Sequence, residues 1–169
     1  MDIRLAVPED DRLAISHVYE ESWKYAYRGM IPDAFLDGMP KGRWAERIDT
    51  PGWHSLLLLD GGRIAGTSTY CASRFPERAG WGEIASIYLL PEYMGKGYGG
   101  ALLHAALDGL AAMGLGRVFL RVLEENARAR RFYERMRFRA SGIVLTDEIG
   151  GRTVRELEYI YDGMEGTEK

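Results

Sequence analysis

The spacing of apolar residues divides the chain into strand and helix signals. Ile3 to Val7 predicts a short strand, stopped by Pro8. Ile15, Val18, Tyr19 and Ser22 then fall at i, i+3, i+4 and i+7, one face of a helix whose start is crowded with acids. An irregular aromatic stretch, Trp23 to Met39, is broken by Gly29, Pro32 and Gly38, and Trp44 to Ile48 predicts a second short helix. Ser55 to Leu59 predicts a buried strand. Asp60-Gly61-Gly62 supplies a turn, and Arg63 to Tyr70 returns beside it as an antiparallel hairpin. Glu83 to Leu90 predicts a third strand, ended by Pro91. A helix then runs from a glycine cluster to Met113, with Leu103, Ala106, Leu107 and Leu110 on one face and Gly114 and Gly116 at its end. Val118 to Leu123 predicts a strand. Ala129, Phe132, Tyr133 and Met136 mark the inner face of a last helix. Two strands, Ile143 to Thr146 and Val154 to Tyr161, meet at Gly150-Gly151. The order β-α-α-β-β-β-α-β-α-β-β describes an α/β (α+β) protein with a mixed, largely antiparallel central sheet flanked by helices. No repeat or Pro/Ser-rich linker interrupts it. Residues 1–164 are therefore expected to be one domain and 165–169 a flexible tail.

The densest chemical signal is Pro91-Glu-Tyr-Met-Gly-Lys-Gly-Tyr-Gly-Gly100, between a strand and a helix. Glycines let a backbone turn its N–H groups into one concavity and approach an anion closely. The helix behind adds unpaired N–H donors and about half a positive charge. Pyrophosphate suits such a cradle, and Lys96 adds a point charge. Gly95, Gly97 and Gly100 also satisfy the dinucleotide spacing G-x-G-x-x-G. That fingerprint belongs in a parallel βαβ unit, whereas the strands before this loop read as an antiparallel meander. No Gly-Lys-Ser/Thr is present, which excludes a Walker A loop.

Composition narrows the partners. The net charge of −3 and pI of about 5.7 argue against a dedicated nucleic-acid binder. Residues 1–37 hold eight acids against four bases, so this segment is expected to attract cations. The single cysteine, Cys71, precludes an intrachain disulfide and fits a reducing compartment. The N-terminus lacks a secretion-signal core, and the longest aliphatic run, Leu56 to Leu59, is too short to cross a bilayer. A cytoplasmic protein with no membrane partner is expected, and a homodimer is compatible. His17, His54 and His104 lack metal-ligand spacing, so no metal is expected.

The sequence resembles the GNAT superfamily of acyl-CoA-dependent N-acyltransferases over nearly its whole length. The family's acyl-CoA loop, Gln/Arg-x-x-Gly-x-Gly/Ala, corresponds to Met94-Gly95-Lys96-Gly97-Tyr98-Gly99, with Met94 in the polar first position. A second pattern, Asn-x-x-Ala-x-x-Phe-Tyr-x-x-x-Gly-Phe, corresponds to Asn126, Ala129, Phe132, Tyr133 and Phe138. Arg137 stands at its glycine, which bears on the turn into the next strand. The resemblance implies transfer of an acetyl group from acetyl-CoA to a primary amine of a small molecule or peptide, by direct attack in a ternary complex. It implies that the strands Glu83–Leu90 and Val118–Leu123 splay, that pantetheine pairs with backbone around Ile87, Tyr88 and Leu89, and that one N–H there stabilises the oxyanion. Gly95, Lys96, Gly97, Tyr98, Gly99 and Gly100 would hold the pyrophosphate and Asn126 the pantetheine arm. Tyr133 would protonate the departing thiolate. Glu83 stands eleven residues before Met94, the spacing of a catalytic glutamate in histone-acetylating members, and is the candidate general base.

Other candidates carry bland readings beside these. The arginines Arg128, Arg131 and Arg135 fit a solvated face, or contact with the 3′-phosphate of CoA. Trp23, Tyr25, Tyr27, Met30 and Phe35 serve as core filler or as the acceptor wall, with Glu20, Glu21, Asp33 and Asp37 as candidate amine anchors. A noncatalytic acyl-CoA-binding regulatory module and a nucleotide-dependent oxidoreductase are the alternatives in function.

Overall fold

The computed structural model describes residues 1–163; the expected tail, 165–169, lies outside them. One sheet of seven strands organises the chain, in the order β1-β2-β3-β4-β5-β7-β6. The strands are β1 (Asp2–Leu5), β2 (His54–Asp60), β3 (Arg63–Ala72), β4 (Gly82–Leu89), β5 (Val118–Leu123), β6 (Arg139–Ile149) and β7 (Arg152–Tyr161). The helices are α1 (Arg12–Ala26), α2 (Asp33–Asp37), α3 (Tyr98–Ala112) and α4 (Ala127–Arg135). Every neighbouring pair is antiparallel except β4–β5, which is parallel. The mixed, largely antiparallel sheet and the element order are thus those read from the sequence.

Three boundaries differ, each for a physical reason. The second α-helix is Asp33–Asp37, inside the aromatic stretch expected to be irregular; Pro32 immediately precedes it with φ −53°. The stretch expected as that helix forms only a 3-10 turn, Ala45–Arg47. Strand β6 is far longer than Ile143–Thr146, because an edge strand is defined by its pairing to β7 rather than by apolar content. Most of its residues are exposed.

Each face of the sheet carries its own core. Leu102, Leu103, Ala106 and Leu110 of α3 pack on Tyr70, Ile84 and Leu120. On the other face, Ile15 and Tyr19 of α1, Leu36 of α2 and Trp44 pack on Leu57, Leu123 and Val154. Fully burying one such side chain contributes about 1.5–3 kcal/mol.

The acids of the first 37 residues are largely committed to this fold. Asp11 caps α1 by accepting from the Leu13 and Ala14 N–H groups. Hydrogen bonds from Arg4 hold Asp10 at about 2, well below the usual carboxylate range. Arg28 pairs with Asp33 and Asp37, and Lys24 with Glu21. Glu20 is buried, accepting from Ser16 Oγ at 2.9 Å and Gly42 N–H at 2.7 Å. Four candidate amine anchors are therefore structural ties.

The turn after α4 survives the absence of glycine at position 137. Arg137 takes φ +67°, the left-handed region, and the N–H of Phe138 still reaches the Tyr133 carbonyl at 3.0 Å. An L-residue there costs about 1–2 kcal/mol, while glycine brings back part of that as chain entropy. Arg137→Gly is expected to stabilise the protein by up to about 1 kcal/mol, or about 2–4 °C in Tm for a domain of this size. A lower Tm in calorimetry would overturn this account of the turn.

Candidate active site

The site begins where the sheet stops being continuous. Strands β4 and β5 pair only at Gly82↔Val118 and Glu83↔Phe119. Beyond that β5 keeps its full register with β7, through Leu123↔Glu156, while β4 keeps its register with β3, through Leu89↔Gly66. A wedge therefore opens between two central strands. Residues Ala85 to Tyr88 of β4 are only partly buried although the strand lies mid-sheet. Part of the divergence is set by a bulge: Thr69 pairs with Ser86 and Tyr70 with Ile84, leaving Ala85 as the extra residue.

The bulge also fixes where backbone donors aim. Leu90 N–H bonds to Ala65 on β3. By the alternation of an antiparallel ladder, Tyr88 and Ser86 face β3 as well, so Ile87 and Leu89 turn their N–H groups to the wedge. Of the three residues expected to pair with pantetheine, Ile87 and Leu89 thus present backbone to the gap. Tyr88 instead presents its side chain to the α1 face.

The glycine loop lies at the open end. Gly95 has φ +75° and Gly97 φ +86°, and Gly97 is the residue from which α3 starts. A Cβ at either position would meet no protein atom within 4 Å. Glycine is needed there for the backbone angle and for close approach from outside, not for internal packing. Tyr98, Gly99 and Gly100 form the first turn of α3, whose N–H groups have no intrahelical acceptor. Lys96 is exposed, its ammonium 5.8 Å from the centre of the Tyr93 ring. This cradle fits a pyrophosphate anion.

Tyr133 comes from α4 and is buried among Phe132, Phe138 and Tyr159, with ring centroids 5.2, 6.0 and 6.4 Å away. Burial raises its phenol well above the usual tyrosine range, and the neighbouring Tyr88 adds to this. Burial likewise pushes Tyr27 up to about 12; its contact with Tyr88 opposes the shift, while Tyr133 and Glu156 reinforce it. Phenols from the C-terminal cap of α1, from β4 and from α4 therefore share one environment. Asn126 is buried and caps α4, its Oδ1 accepting from the Ala129 N–H at 3.1 Å.

Glu83 sits at the closed end of the wedge and is 3% exposed. Its carboxylate accepts from the Arg74 backbone N–H at 3.2 Å and is ion-paired with the Arg74 guanidinium. Cys71 lies beside it, Sγ to Oε2 4.0 Å, and burial together with that carboxylate pushes the thiol up to about 11. A thiol so placed is a poor nucleophile. The α1 face of the same region is aromatic and hydroxylic. Tyr19 lies 3.1 Å from both Thr69 Oγ1 and Ser86 Oγ, and the rings of Trp23 and Tyr27 meet edge-on at 4.9 Å. Sequence reading singled out the aromatic wall and Tyr133. It missed Arg74, the partner of Glu83, because a lone arginine in a loop gives no sign of which acid it will meet.

A sheet wedged open between two parallel strands, with a glycine-turned helix N-terminus at its mouth, forms a cleft for an extended ligand that ends in a phosphate anion. Residues 15–138 match the Acetyltransferase (GNAT) family. An uncharacterised N-acetyltransferase of Mycobacterium bovis is 36% identical over 110 residues, which is 64% of this chain and 68% of that protein. The mycothiol acetyltransferase of Clavibacter michiganensis is 34% identical over 109 residues, 62% of this chain but only 34% of that protein. Among solved structures, the PaiA N-acetyltransferase of Thermoplasma acidophilum, in complex with coenzyme A, superposes with a TM-score of 0.73 at 22% identity, covering 95% of this chain and all of that one. The ribosomal-protein-S18-alanine N-acetyltransferase of Escherichia coli gives 0.72 at 18% identity, over 99% and 97% of the two chains. The chain belongs to the GNAT acetyltransferase family. No helix among the described residues is long and apolar enough to cross a membrane.

Proposed function

We propose that this enzyme moves an acetyl group from acetyl-CoA to a primary amine of a small molecule or peptide, by direct attack within a ternary complex. The observation that carries the reading is the wedge: paired at its floor, lined by the outward N–H groups of Ile87 and Leu89, and ending at the Gly95–Gly100 cradle. Pyrophosphate fits the cradle, with Lys96 adding charge, and the extended pantetheine arm fits an unpaired strand edge. Asn126 stands at the start of α4 on the other wall of the wedge, where its remaining amide donors can serve that arm.

In the transfer, Glu83 first takes one proton from the bound ammonium, and the neutral amine nitrogen then attacks the thioester carbonyl carbon. A C–N bond forms and the C–S bond breaks, and an N–H of the β4 edge stabilises the charge that develops on the carbonyl oxygen. The departing thiolate takes a proton from the Tyr133 hydroxyl. The raised Tyr133 phenol stays protonated at neutral pH, as a donor must. The second proton, shed by the nitrogen as the intermediate collapses to the amide, restores the Tyr133 hydroxyl, and the proton on Glu83 is released to solvent. Because a thiolate leaves tolerably unaided, with a conjugate acid of pKa about 8.5, Tyr133→Phe is expected to lower kcat by about 100-fold or less. A loss above about 10⁴-fold with the fold intact would give Tyr133 more than the role of proton donor.

Initial rates with both substrates varied test the order of events. Intersecting reciprocal plots and full activity in Cys71→Ser are expected. Parallel plots, the signature of a covalent acetyl-enzyme, would overturn direct attack.

A further inference from the structure

Strand β7 carries an anomaly that the reaction as written does not use. Val154, Glu156 and Glu158 alternate onto the sheet face that α1 and α2 cover. Val154 belongs to that core. Glu158 is buried and answered by Arg78. Glu156 is half-buried, yet it makes no hydrogen bond or ion pair with any of the described residues. A desolvated carboxylate without a partner is costly, so its presence on a core strand calls for a reason.

Its position supplies one. Glu156 lies opposite Leu123 on β5, past the point where β4 has left β5. It therefore stands one strand from the wedge, within electrostatic reach of the Tyr27 phenol. Tyr27 in turn neighbours Tyr88 and Tyr133. The Trp23 indole N–H, beside Tyr88, is buried and has no hydrogen-bond partner among the described residues. Aromatic rings pack on those phenols: Trp23 on Tyr27 and Tyr19 on Tyr88, both at 4.9 Å. A hollow lined by Met30, Leu123 and Val154 together with the charged Glu124, Glu125 and Arg155 lies beside Glu156, and Arg155 there is paired with Glu124. A lone carboxylate among aromatic faces is the chemistry that selects an alkylammonium ion.

Neighbouring charges favour the same ligand. Asp147 on β6 lies diagonally across from Glu156 and adds negative potential. Arg121 on β5 opposes it, but its guanidinium is stacked 3.7 Å from the centre of the Phe75 ring and lies 3.7 Å from Glu77. It makes no ion pair with Glu156.

We propose that Glu156 is the acceptor-binding carboxylate of this enzyme, drawing the incoming ammonium group of a primary alkylamine beside the phenols of Tyr27 and Tyr88 before that amine gives up its proton to Glu83 and attacks. The proposal rests on the acetyltransferase reading above and names the substrate class of that site. It replaces the N-terminal acids as the origin of cation selectivity.

The test is steady-state kinetics of wild type and Glu156→Gln with acetyl-CoA and three probes: 1,4-diaminobutane, 2-phenylethylamine and an alanine-initiated peptide amide. Loss of a charge-assisted contact is expected to raise the amine KM about 10- to 100-fold, with kcat and the acetyl-CoA KM within about threefold of wild type. Thermal unfolding supplies a second readout. Burial holds the Glu156 carboxyl above the usual range, Asp147 adds to this and Arg121 offsets part. Ionising it thus disfavours the native state, and stability is lost as pH rises through the folded pKa. Glu156→Gln should therefore have a higher Tm than wild type at pH 7, and the gain should vanish in acid where both side chains are neutral. A wild type that releases no CoA with any probe overturns the acetyltransferase reading and the anchor with it. A wild type that turns over a probe while Glu156→Gln keeps its amine KM within twofold overturns the anchor alone, as does a lower Tm for the variant at pH 7.

Discussion

Gly97→Val should lower the affinity for acetyl-CoA by at least about 100-fold in a protein that still folds. Gly97 holds φ +86° at the start of α3, and a Cβ there would meet nothing inside the protein. The substitution therefore leaves the core untouched and acts on the cradle in two ways. A β-branched residue disfavours the left-handed region strongly, so the loop is driven to another conformation. Any Cβ that stays in place also projects into the space from which an anion approaches. Either change misaligns N–H groups that bind a charged oxygen, and each such bond contributes about 1.5–3 kcal/mol. Losing two costs about 3–6 kcal/mol, or about 10²–10⁴ in Kd. Gly99 makes the contrast. It lies within α3 with ordinary helical angles, and a Cβ there would sit 3.5 Å from Phe132, a normal contact. Gly99→Ala should cost far less than Gly97→Val. Calorimetry with acetyl-CoA on both variants decides, and an unchanged Kd in folded Gly97→Val sinks the assignment of this loop.

The glycine loop was legible in the sequence because a backbone requirement is written in residue type: only glycine takes φ near +80° without strain. The order of elements along the chain was legible for a similar reason, since turns and apolar periodicity are local, whereas the insertion of β7 between β5 and β6 was not. The wedge was not. Nothing in Glu83–Leu90 or Val118–Leu123 taken alone says that their pairing ends after two residues. The extra residue Ala85 is defined only against β3. The length of β6 escaped because main-chain pairing on an edge needs no apolar pattern. The acidic N-terminal segment, residues 1–37, misled, because charge composition does not reveal partners. Arg4, Lys24 and Arg28 answer acids that the count leaves free, and Asp11 and Glu20 are answered by N–H and hydroxyl donors. Glu156 escaped for the converse reason: a glutamate on a strand reads as solvated until its face is known to be the core face.

Glu83→Gln is expected to lower kcat/KM at pH 7 by about 10²–10⁴-fold, the range of general base help. A protonated amine cannot attack, and a lysine-like amine has a pKa of about 10.4, so at neutral pH a group must take its proton. Glu83 is the carboxylate on β4 itself, on the same strand as the donors of Ile87 and Leu89. The variant should regain rate as pH rises towards the pKa of the amine, because free amine then accumulates without help. The ion pair with Arg74 supplies the control. The Arg74 side chain is 44% exposed but that of Glu83 only 4%, so Arg74→Gln leaves a buried carboxylate held by the backbone N–H of residue 74, and the stability of that variant is measured alongside its rate. Arg74→Gln removes that pair as Glu83→Gln does, but keeps the carboxylate. If Glu83 takes the proton, Arg74→Gln should retain at least about a tenth of wild-type kcat/KM, well short of a base's 10²–10⁴-fold. If Glu83 serves only to tie β4 to the Arg74 loop, the two variants should fall together and neither should recover at high pH. Profiles of kcat/KM against pH for both, with folding checked by circular dichroism, separate these outcomes. A Glu83→Gln enzyme with wild-type rate and profile would remove Glu83 from the proton path and leave that step to water.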